Sequence, residues 1–289
     1  MDQPCIEDIF KAAKAGKTRN MVITGNRNSA AVNAAFKAQD MELIEPVFCG
    51  QEFSDLNHKY NLLSTDSDTV KARKQALEMV RSGEADIFLD TELITTEFLQ
   101  MLSKANLINE HILSYVSIFE SVKEQRLTIL TDTLINSSPD LKEKITILEN
   151  AISVANAMGI KHPNIAALAP LELVNPAIKS TMDAAILSKM SQRGQFGNAV
   201  IEGPLAMDNA ESADAAIQKG IQSTVPGNAD IYFFPDIESA NLTAQFLAWV
   251  YRVKFAGVLA GTKVPIVVHS LLENDDSWLL SIALAVLSC

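Results

Sequence analysis

Residues 201–210 read IEGPLAMDNA and continue the apolar stretch that begins at residue 199. The order is that of a short buried strand, a rigid turn at Gly203-Pro204 and a helix that opens at Asp208 or Asn209. A Gly-Pro pair after a strand lets backbone amides approach a ligand closely. Ligands of open α/β sheets bind at the carboxyl ends of strands. The stretch therefore predicts an α/β sheet with a binding turn at its edge, although an ordinary strand-to-helix turn explains the same spacing.

Segments with strand and helix patterns alternate on both sides of this turn, as in a parallel sheet covered by helices. The predicted strands are 20–24, 43–48, 85–89, 113–119, 126–131, 164–169, 199–202, 230–234 and 264–268. The predicted helices are 29–39, 68–82, 95–103, a long one from 141 closed by Gly159, one from Ser180 to Arg193, 210–219, 238–254 and a last one at the end of the chain. We expect 113–119 and 126–131 to pair as antiparallel neighbours. Ser180 and Asp183 have the spacing of a capping box.

Length and composition limit the class of protein. A chain of 289 residues, 48% of them hydrophobic, can bury a large core and predicts two α/β domains. We place them at 1–126 and 127–264, with 265–289 returning to the first domain. The net charge of −11 argues against nucleic-acid partners and anionic membrane surfaces. The sequence has no apolar run long enough for a membrane helix and no basic segment ahead of its first apolar residues, so we expect neither a membrane span nor a signal peptide.

The cysteines and the glycine-rich turns narrow the possible ligands. Three scattered cysteines, without a CxxC pair, suit a reducing cytoplasm and predict no metal site. The Gly16-Lys17-Thr18 run follows a helix and precedes a strand, which is the wrong context for a nucleotide phosphate loop. Arg27, in the turn before a predicted helix, is a candidate phosphate contact, or a solvated arginine beside an ordinary helix cap.

Two further turns carry candidate binding residues. Residues 131–140, at the end of the predicted strand 126–131, have the pattern TDxxxNxxPD. In this pattern Asp132 either binds a ligand or holds the turn by accepting hydrogen bonds from backbone N–H groups. The segment PDIESAN places Pro235, Asp236 and Asn241 after the strand at 230–234. Both turns start helices, so both are expected at the carboxyl edge of the sheet.

Taken with IEGPLAMDNA, the stretches 174–210 and 231–242 resemble the phosphate acetyl/butyryltransferase family, and phosphate butyryltransferases in particular. The resemblance implies a fold similar to isocitrate and isopropylmalate dehydrogenases, with two α/β domains flanking a cleft. It implies reversible transfer of a short acyl group between coenzyme A and inorganic phosphate. Coenzyme A is then a substrate, and no cofactor is bound. We also expect a homodimer or a larger homo-oligomer.

The resemblance also carries candidate site residues. Gly203, Pro204, Asp208, Asn209, Asp132 and the PDIESAN residues match the family's binding turns. The end of the last strand, His269-Ser270, matches a serine at the centre of the family's active site, and Asp276 is a candidate base or orienting acid. An acid near a helix start also complements the helix dipole, so Asp276 has an alternative role.

Several of the family's basic positions hold other residues in this chain. Leu271 follows the serine in place of arginine, Asp90-Thr91 replaces a lysine-glycine pair, and Ile112 and Tyr115 stand where arginine and histidine are common. Cations suit this reaction because phosphate and the tetrahedral intermediate are negative. Two interpretations follow, a working transferase with altered charge placement, or a degenerate member that binds an acyl-CoA-like ligand or a protein partner. A metal-dependent dehydrogenase on the same fold lacks a cluster of carboxylates for the ion.

Overall fold

A computed structural model of the chain describes residues 4–25, 29–50, 61–64, 69–109, 112–121, 126–270 and 275–289. The chain forms two compact units. The first unit comprises Cys5–Leu113 and Lys254–Cys289, and the second comprises Ser114–Val253. Pro4 adds to the second unit, since its carbonyl accepts a hydrogen bond from the Leu127 N–H at 3.1 Å.

The first unit is built on a mostly parallel sheet. Its strands are β1 (Arg19–Thr24), β2 (Ile44–Cys49), β3 (Asn61–Ser64), β4 (Ile87–Leu93), β10 (Phe255–Ala260) and β11 (Ile266–His269). They lie side by side in the order β3-β2-β1-β4-β11-β10. Only β10 runs antiparallel to its described neighbour β11. β4, β10 and β11 are largely buried on both faces, as is typical of strands that lie between helix layers.

Five helices are described in the first unit. They are α1 (Ile6–Lys14), α2 (Ser29–Asp40), α3 (Thr69–Ser82), α4 (Thr96–Lys104) and α10 (Asp275–Leu287). The last helix packs against α1, α2 and β10. Trp278 on α10 is fully buried, and Ser281 accepts a hydrogen bond from the Gly257 N–H at 3.0 Å. The carboxyl end of the chain is thus part of the core around β1.

The second unit contains five described strands. Its strands are β5 (Ser114–Glu120), β6 (Leu127–Thr131), β7 (Asn164–Leu168), β8 (Val200–Leu205) and β9 (Ile231–Phe233), in the order β5-β6-β9-β7-β8. β5 and β6 pair antiparallel, with Phe119 opposite Thr128, which confirms the predicted pairing. The remaining pairs are parallel. Four carboxyl strand ends, those of β6, β9, β7 and β8, therefore meet along one edge.

The helices of the second unit are α5 (Leu141–Ala157), α6 (Lys179–Gln192), α7 (Met207–Glu211), α8 (Ala213–Gln218) and α9 (Ile237–Trp249). Asp140 and Glu143 form a capping box at the start of α5, where each side chain accepts the other's backbone N–H. Gly159, with φ +94°, follows its end, as the sequence predicts. The long helix is therefore closed by local signals at both ends.

Four local predictions are wrong. The predicted helix 210–219 is two short helices, α7 and α8, because Ser212 interrupts it and caps the second by accepting the Ala215 N–H. The predicted helix 238–254 ends at Trp249, and the strands β3 and β10 lie outside every predicted strand. β10 is a short apolar run that gains its strand conformation from pairing with β11.

The fourth wrong prediction is the capping box of Ser180 and Asp183. α6 begins one residue earlier, at Lys179, and its N-cap Ile178 makes no side-chain cap. Asp183 instead accepts a 2.7 Å hydrogen bond from the buried Lys144 on α5 and a 3.2 Å one from Lys179. The ion pair with the buried Lys144 stabilises the fold more than a helix cap would, because a buried charge left without a partner costs about 3–5 kcal/mol.

The boundaries of the compact units differ from the domain limits inferred from sequence. The chain changes unit at Ser114 and Lys254, whereas the sequence pattern placed the changes at 127 and 265. β5 pairs with β6 within the second unit, and β10 pairs with β11 within the first. Each pair keeps its two strands in one unit. β11 lies next to β4, in the same sheet as β1.

The capping box gives a first test of the fold. We expect Asp140→Ala to lower the free energy of unfolding by about 1 kcal/mol, because the first turn of α5 loses a side-chain acceptor. Urea denaturation followed by circular dichroism measures the change. The neighbouring, exposed Lys142→Ala is the control and should change the stability by less than about 0.5 kcal/mol. Equal stability of the two variants would contradict the assigned cap.

Candidate active site

The carboxyl edge of the sheet in the second unit holds most of the candidate residues. Asp132 follows β6, Pro235 and Asp236 follow β9, and Asp208 and Asn209 follow β8 on α7. These turns share one edge because β6, β9, β7 and β8 are parallel. The structure thus places the three predicted motifs on one side of the same sheet.

Asp132 is the centre of the first group at this edge. Its Oδ1 accepts hydrogen bonds from the N–H groups of Tyr115, Leu134 and Ile135 at 3.0–3.1 Å. Its Oδ2 accepts from both the backbone and the side-chain amide of Asn136. Burial raises the pKa of Asp132, and these hydrogen bonds, which stabilise the carboxylate, oppose that shift. All its oxygens are engaged in the turn, so the structure supports the holding role that the sequence left open.

Asn241 and Asp236 tie the helix after β9 to that turn. The side-chain amide of Asn241 donates to the carbonyl of Thr133 at 3.0 Å. The Ile237 N–H donates to the carbonyl of Ser137 at 3.3 Å. Asp236 caps α9 by accepting the Ser239 N–H at 2.9 Å and the Ser239 hydroxyl at 2.8 Å. The turns after β6 and β9 therefore form one connected structure.

Gly203 and Pro204 lie inside β8, not in a turn after it. The strand runs to Leu205, three residues beyond the predicted end, and α7 begins at Met207, ahead of both predicted opening residues. A Cβ on Gly203 would lie 2.8 Å from the carbonyl oxygen and the Cβ of Ala167 and 3.1 Å from the Cβ of Ala184. The glycine is therefore needed where β8 packs against β7 and α6, whatever it also does for a ligand.

The second group at the edge is charged. Lys219 donates to Glu172 at 3.2 Å and forms an ion pair with Asp208 at 2.9 Å. The ammonium of Lys219 lowers the pKa of the Asp208 carboxyl. Asn209 is fully buried; its side-chain amide reaches Glu172 at 3.4 Å, and its Oδ1 makes no hydrogen bond to any described residue. This group joins the turns after β7 and β8 and places one cation beside two carboxylates.

Glu172 and Lys219 are residues that the sequence analysis missed. Glu172 follows β7, another parallel strand, so the rule that ligands bind at carboxyl strand ends points to it as it does to Asp132. Lys219 lies at the end of α8, and nothing in its local sequence relates it to Asp208 eleven residues earlier. Only the folded arrangement brings the two together.

In the first unit, Ser270 comes directly after β11 and is buried, with 6% of its surface exposed. His269 ends the strand and its ring lies 5.5 Å from that of Trp278. Asp276 lies in the first turn of α10, and its side chain is outside the described residues, as are Arg27 and Leu271. The structure therefore places Ser270 and His269 at the carboxyl end of β11, beside that of β4.

The replacement Asp90-Thr91 sits in β4 and makes an ion pair. Arg73 on α3 donates to Asp90 at 2.6 Å and lies 2.8 Å from Glu92. Burial raises the pKa of Asp90, while the neighbouring guanidinium opposes the shift. A Cβ on Gly25, which has φ +99°, would lie 2.6–2.7 Å from Thr91 and Asp90. Two carboxylates around one arginine thus occupy the place where the resemblance predicts a lysine.

Metal ligands and membrane helices were also sought in the part of the chain that the structure describes. Within it, no three His, Cys, Asp or Glu side chains group as ligands for an ion. Across the same ranges, none of the helices combines the length and the apolar character needed to cross a bilayer.

Comparison with known proteins assigns the family. The family model described as "Phosphate acetyl/butaryl transferase" matches residues 66–286. The chain belongs to this family of phosphate acyltransferases. It is 35% identical to the phosphate butyryltransferase of Clostridium acetobutylicum, over 99% of this chain and 90% of that one. The family resemblance of the segments IEGPLAMDNA and PDIESAN is thereby confirmed.

Solved structures confirm the fold. A branched-chain phosphotransacylase from Enterococcus faecalis superposes with a TM-score of 0.82 at 28% identity, covering 94% of this chain and 99% of that one. A Salmonella typhimurium protein assigned as a 4-hydroxythreonine-4-phosphate dehydrogenase superposes with a TM-score of 0.54 at 12% identity, covering 95% and 100%. The second match concerns the fold alone, and it confirms the predicted dehydrogenase-like α/β architecture.

The turn after β6 yields a second prediction. We expect Asp132→Asn to lower the free energy of unfolding by about 3 kcal/mol, because an amide NH₂ would face N–H donors that the carboxylate now satisfies. Urea denaturation measures the loss, with the exposed Asp214→Asn on α8 as the control. A variant of unchanged stability would show that Asp132 does not hold the turn.

The packing of Gly203 yields a third. We expect Gly203→Ala to lower the free energy of unfolding by about 2 kcal/mol, since the new Cβ meets backbone and Cβ atoms that cannot rotate away. Thermal unfolding compares it with Val200→Ala, an exposed position on the same strand. If Gly203→Ala is fully stable and only weakens substrate binding, the glycine serves ligand access and not packing.

Proposed function

We propose that the chain transfers a short acyl group, butyryl before acetyl, reversibly between coenzyme A and inorganic phosphate. The observation that carries the proposal is the near full-length match to a phosphate butyryltransferase, together with the superposition on a branched-chain phosphotransacylase. Both names point to an acyl group larger than acetyl. Coenzyme A is proposed as a substrate, with no bound cofactor or metal.

The chemistry needs positioning and charge stabilisation but no covalent enzyme intermediate. An oxygen of hydrogen phosphate attacks the thioester carbonyl, a C–O bond forms and the C–S bond breaks. The proton that leaves the phosphate ends on the thiolate, so the products are acyl phosphate and free coenzyme A. A protein accelerates such a step by holding phosphate against the carbonyl and by donating hydrogen bonds to the oxyanion.

Ser270 is the proposed catalytic residue. Its burial after β11 supports this role, because a hydroxyl in a site that excludes water is a stronger donor to a developing charge. His269, on the same strand end, and Arg27 are proposed to bind phosphate. Asp276 is proposed as a base or as an acid that orients the reacting groups.

The edge of the second unit is proposed to bind the coenzyme. Support comes from the shared strand edge of its turns and from Lys219, whose ammonium can be released from Asp208 and Glu172 to a phosphate. The proposed contacts are Gly203, Pro204, Asp208, Asn209, Pro235, Asp236 and Asn241. Asp132 acts through the turn that it holds.

We further propose a homodimer or larger homo-oligomer in the cytoplasm. Leu242, Phe246 and Trp249 lie on one face of α9 at helical spacing and are 53–67% exposed. An exposed apolar stripe of this kind is typical of an interaction surface. The cytoplasmic location is supported by the three free cysteines.

A degenerate member that only binds its ligand is the second candidate. The observation that favours it is the Arg73–Asp90 pair, which leaves two carboxylates near one arginine where the family resemblance predicts a lysine. Negative charge at that place would oppose a phosphate. The assay below distinguishes the two candidates.

Thiol release from butyryl-, acetyl- and isobutyryl-coenzyme A, with and without phosphate, tests the proposed reaction. We expect phosphate-dependent release that is fastest with butyryl-coenzyme A. Ser270→Ala should lower kcat by about a hundredfold, since one hydrogen bond to the transition state is lost. Ser103→Ala, an exposed serine on α4, is the matched control and should leave kcat unchanged.

The same assay has three further informative outcomes. No release with any substrate, together with tight coenzyme A binding by calorimetry, would establish the ligand-binding member and contradict the transferase. A gain of activity in Leu271→Arg would show that the scaffold is intact and that charge at this position limits the rate. Release that is independent of phosphate would contradict the proposed acyl acceptor.

A further inference from the structure

A cavity of about 350 Å³ lies within the second unit. Its walls come from β5, β6, β9, α7 and α9, and its apolar lining includes Phe119, Leu130, Phe234 and Leu247. The volume falls in the range of small-molecule pockets, roughly 300–1,000 Å³. It is therefore large enough for a ligand with an apolar body.

The cavity has a buried floor and an open mouth. Phe119 and Leu130, from the two antiparallel strands, are at most 2% exposed. Met207 and Tyr251 also line it and are 42% and 54% exposed. The sequence predicts one long helix here, but the structure has the short helices α7 and α8 instead. The wall of the cavity that α7 forms is therefore only five residues long. The mouth lies between that helix and the end of α9.

A buried tyrosine forms part of the lining of this cavity. Tyr232 on β9 lines the cavity and is 3% exposed, and its hydroxyl oxygen makes no hydrogen bond of ordinary geometry to the described residues. Burial, and then the Glu211 carboxylate near it, raises the pKa of Tyr232, so the phenol is neutral at physiological pH. A buried hydroxyl without a well-placed partner lowers stability, and a ligand that completes its hydrogen bonding recovers that loss.

The charges in the lining select the ligand's head group. Glu120 and Glu211 line the cavity, and no Lys, Arg or His is found among the lining residues that the structure describes. Arg126, whose charge reaches Tyr232, is outside the lining and donates to the carbonyl of Ala229 at 3.3 Å. Phosphate and coenzyme A, which are anionic, are poor ligands for such a lining. A cationic head suits it.

We propose that this cavity is a binding site for an aliphatic primary amine, whose ammonium lies between the Tyr232 hydroxyl and the Glu211 carboxylate. The ammonium donates hydrogen bonds to both oxygens, and the alkyl chain lies on Phe119, Leu130 and Leu247. The site is independent of the acyl transfer proposed above, because its lining favours the opposite charge and its test measures binding alone.

Calorimetric titration of the full chain with octylammonium, octanoate and octan-1-ol tests the site. We expect octylammonium to bind best, octan-1-ol more weakly and octanoate not measurably, although the three share one chain length. Glu211→Gln, at an exposed position, should weaken octylammonium about tenfold because a charge-assisted hydrogen bond is lost. The control is Glu149→Gln, which removes an exposed carboxylate from α5. It tests whether the protein's net charge of −11 attracts the ammonium in general, and it should leave the affinity for octylammonium unchanged.

A second variant tests the cavity itself. Thr243→Phe, on α9, fills the space from a half-buried position and should abolish octylammonium binding while the circular dichroism spectrum stays that of the parent. Equal binding of octanoate, or equal weakening by Glu211→Gln and Glu149→Gln, would overturn the proposal. A further alternative is that a second copy of the chain fills the cavity. Sedimentation equilibrium tests it: the alternative would hold if the parent protein is an oligomer that binds no amine and Thr243→Phe dissociates it.

Discussion

The carboxylate of Asp132 organises the second unit's sheet edge. It gathers the backbone N–H groups of Tyr115, Leu134, Ile135 and Asn136 around two oxygens. Through this turn the carbonyl of Thr133 is placed to accept the side-chain amide of Asn241, so the start of α9 is fixed as well. A buried carboxylate is stable only when its lone pairs accept hydrogen bonds. The conformation of the turn therefore depends on the charge of Asp132, and the charge depends on the turn.

Three of the described cations are held beside acids in ways that bear on the fold and the site. Lys144 pairs with Asp183, Lys219 with Asp208 and Glu172, and Arg73 with Asp90 and Glu92. The first pair is buried between two helices and is structural. The other two lie at strand edges where we propose that substrate binds, so an incoming phosphate would compete with carboxylates for the same cations. This competition is a physical reason to expect weaker turnover than in a site with unpaired cations.

Prediction from sequence succeeded where local signals and strand order agree. The alternation of strands and helices, the antiparallel pair β5–β6 and the capped helix α5 follow from apolar spacing and cap residues, and the structure has all three. It failed at Asp183, because the deciding partner Lys144 is 39 residues away in the chain. It also failed at β10 and at the broken helix α7–α8, although there the partner strand β11 and the Ser212 cap are close in sequence. The candidate site is divided in the same way. The motifs at Asp132, Asp236 and Asp208 were visible, whereas Glu172, Lys219 and Arg73 were not.

The sequence alone determined the class, the family and the turns at the strand ends, because each depends on residues within about ten positions of one another. Tertiary structure decided what those residues do. Gly203 proved to be required by Ala167 and Ala184 on a neighbouring strand and helix, and Asp132 by amides from two separate segments. It also created the cavity around Tyr232, whose walls come from five elements. Packing and desolvation act between residues that are far apart in the chain, so no local pattern records them.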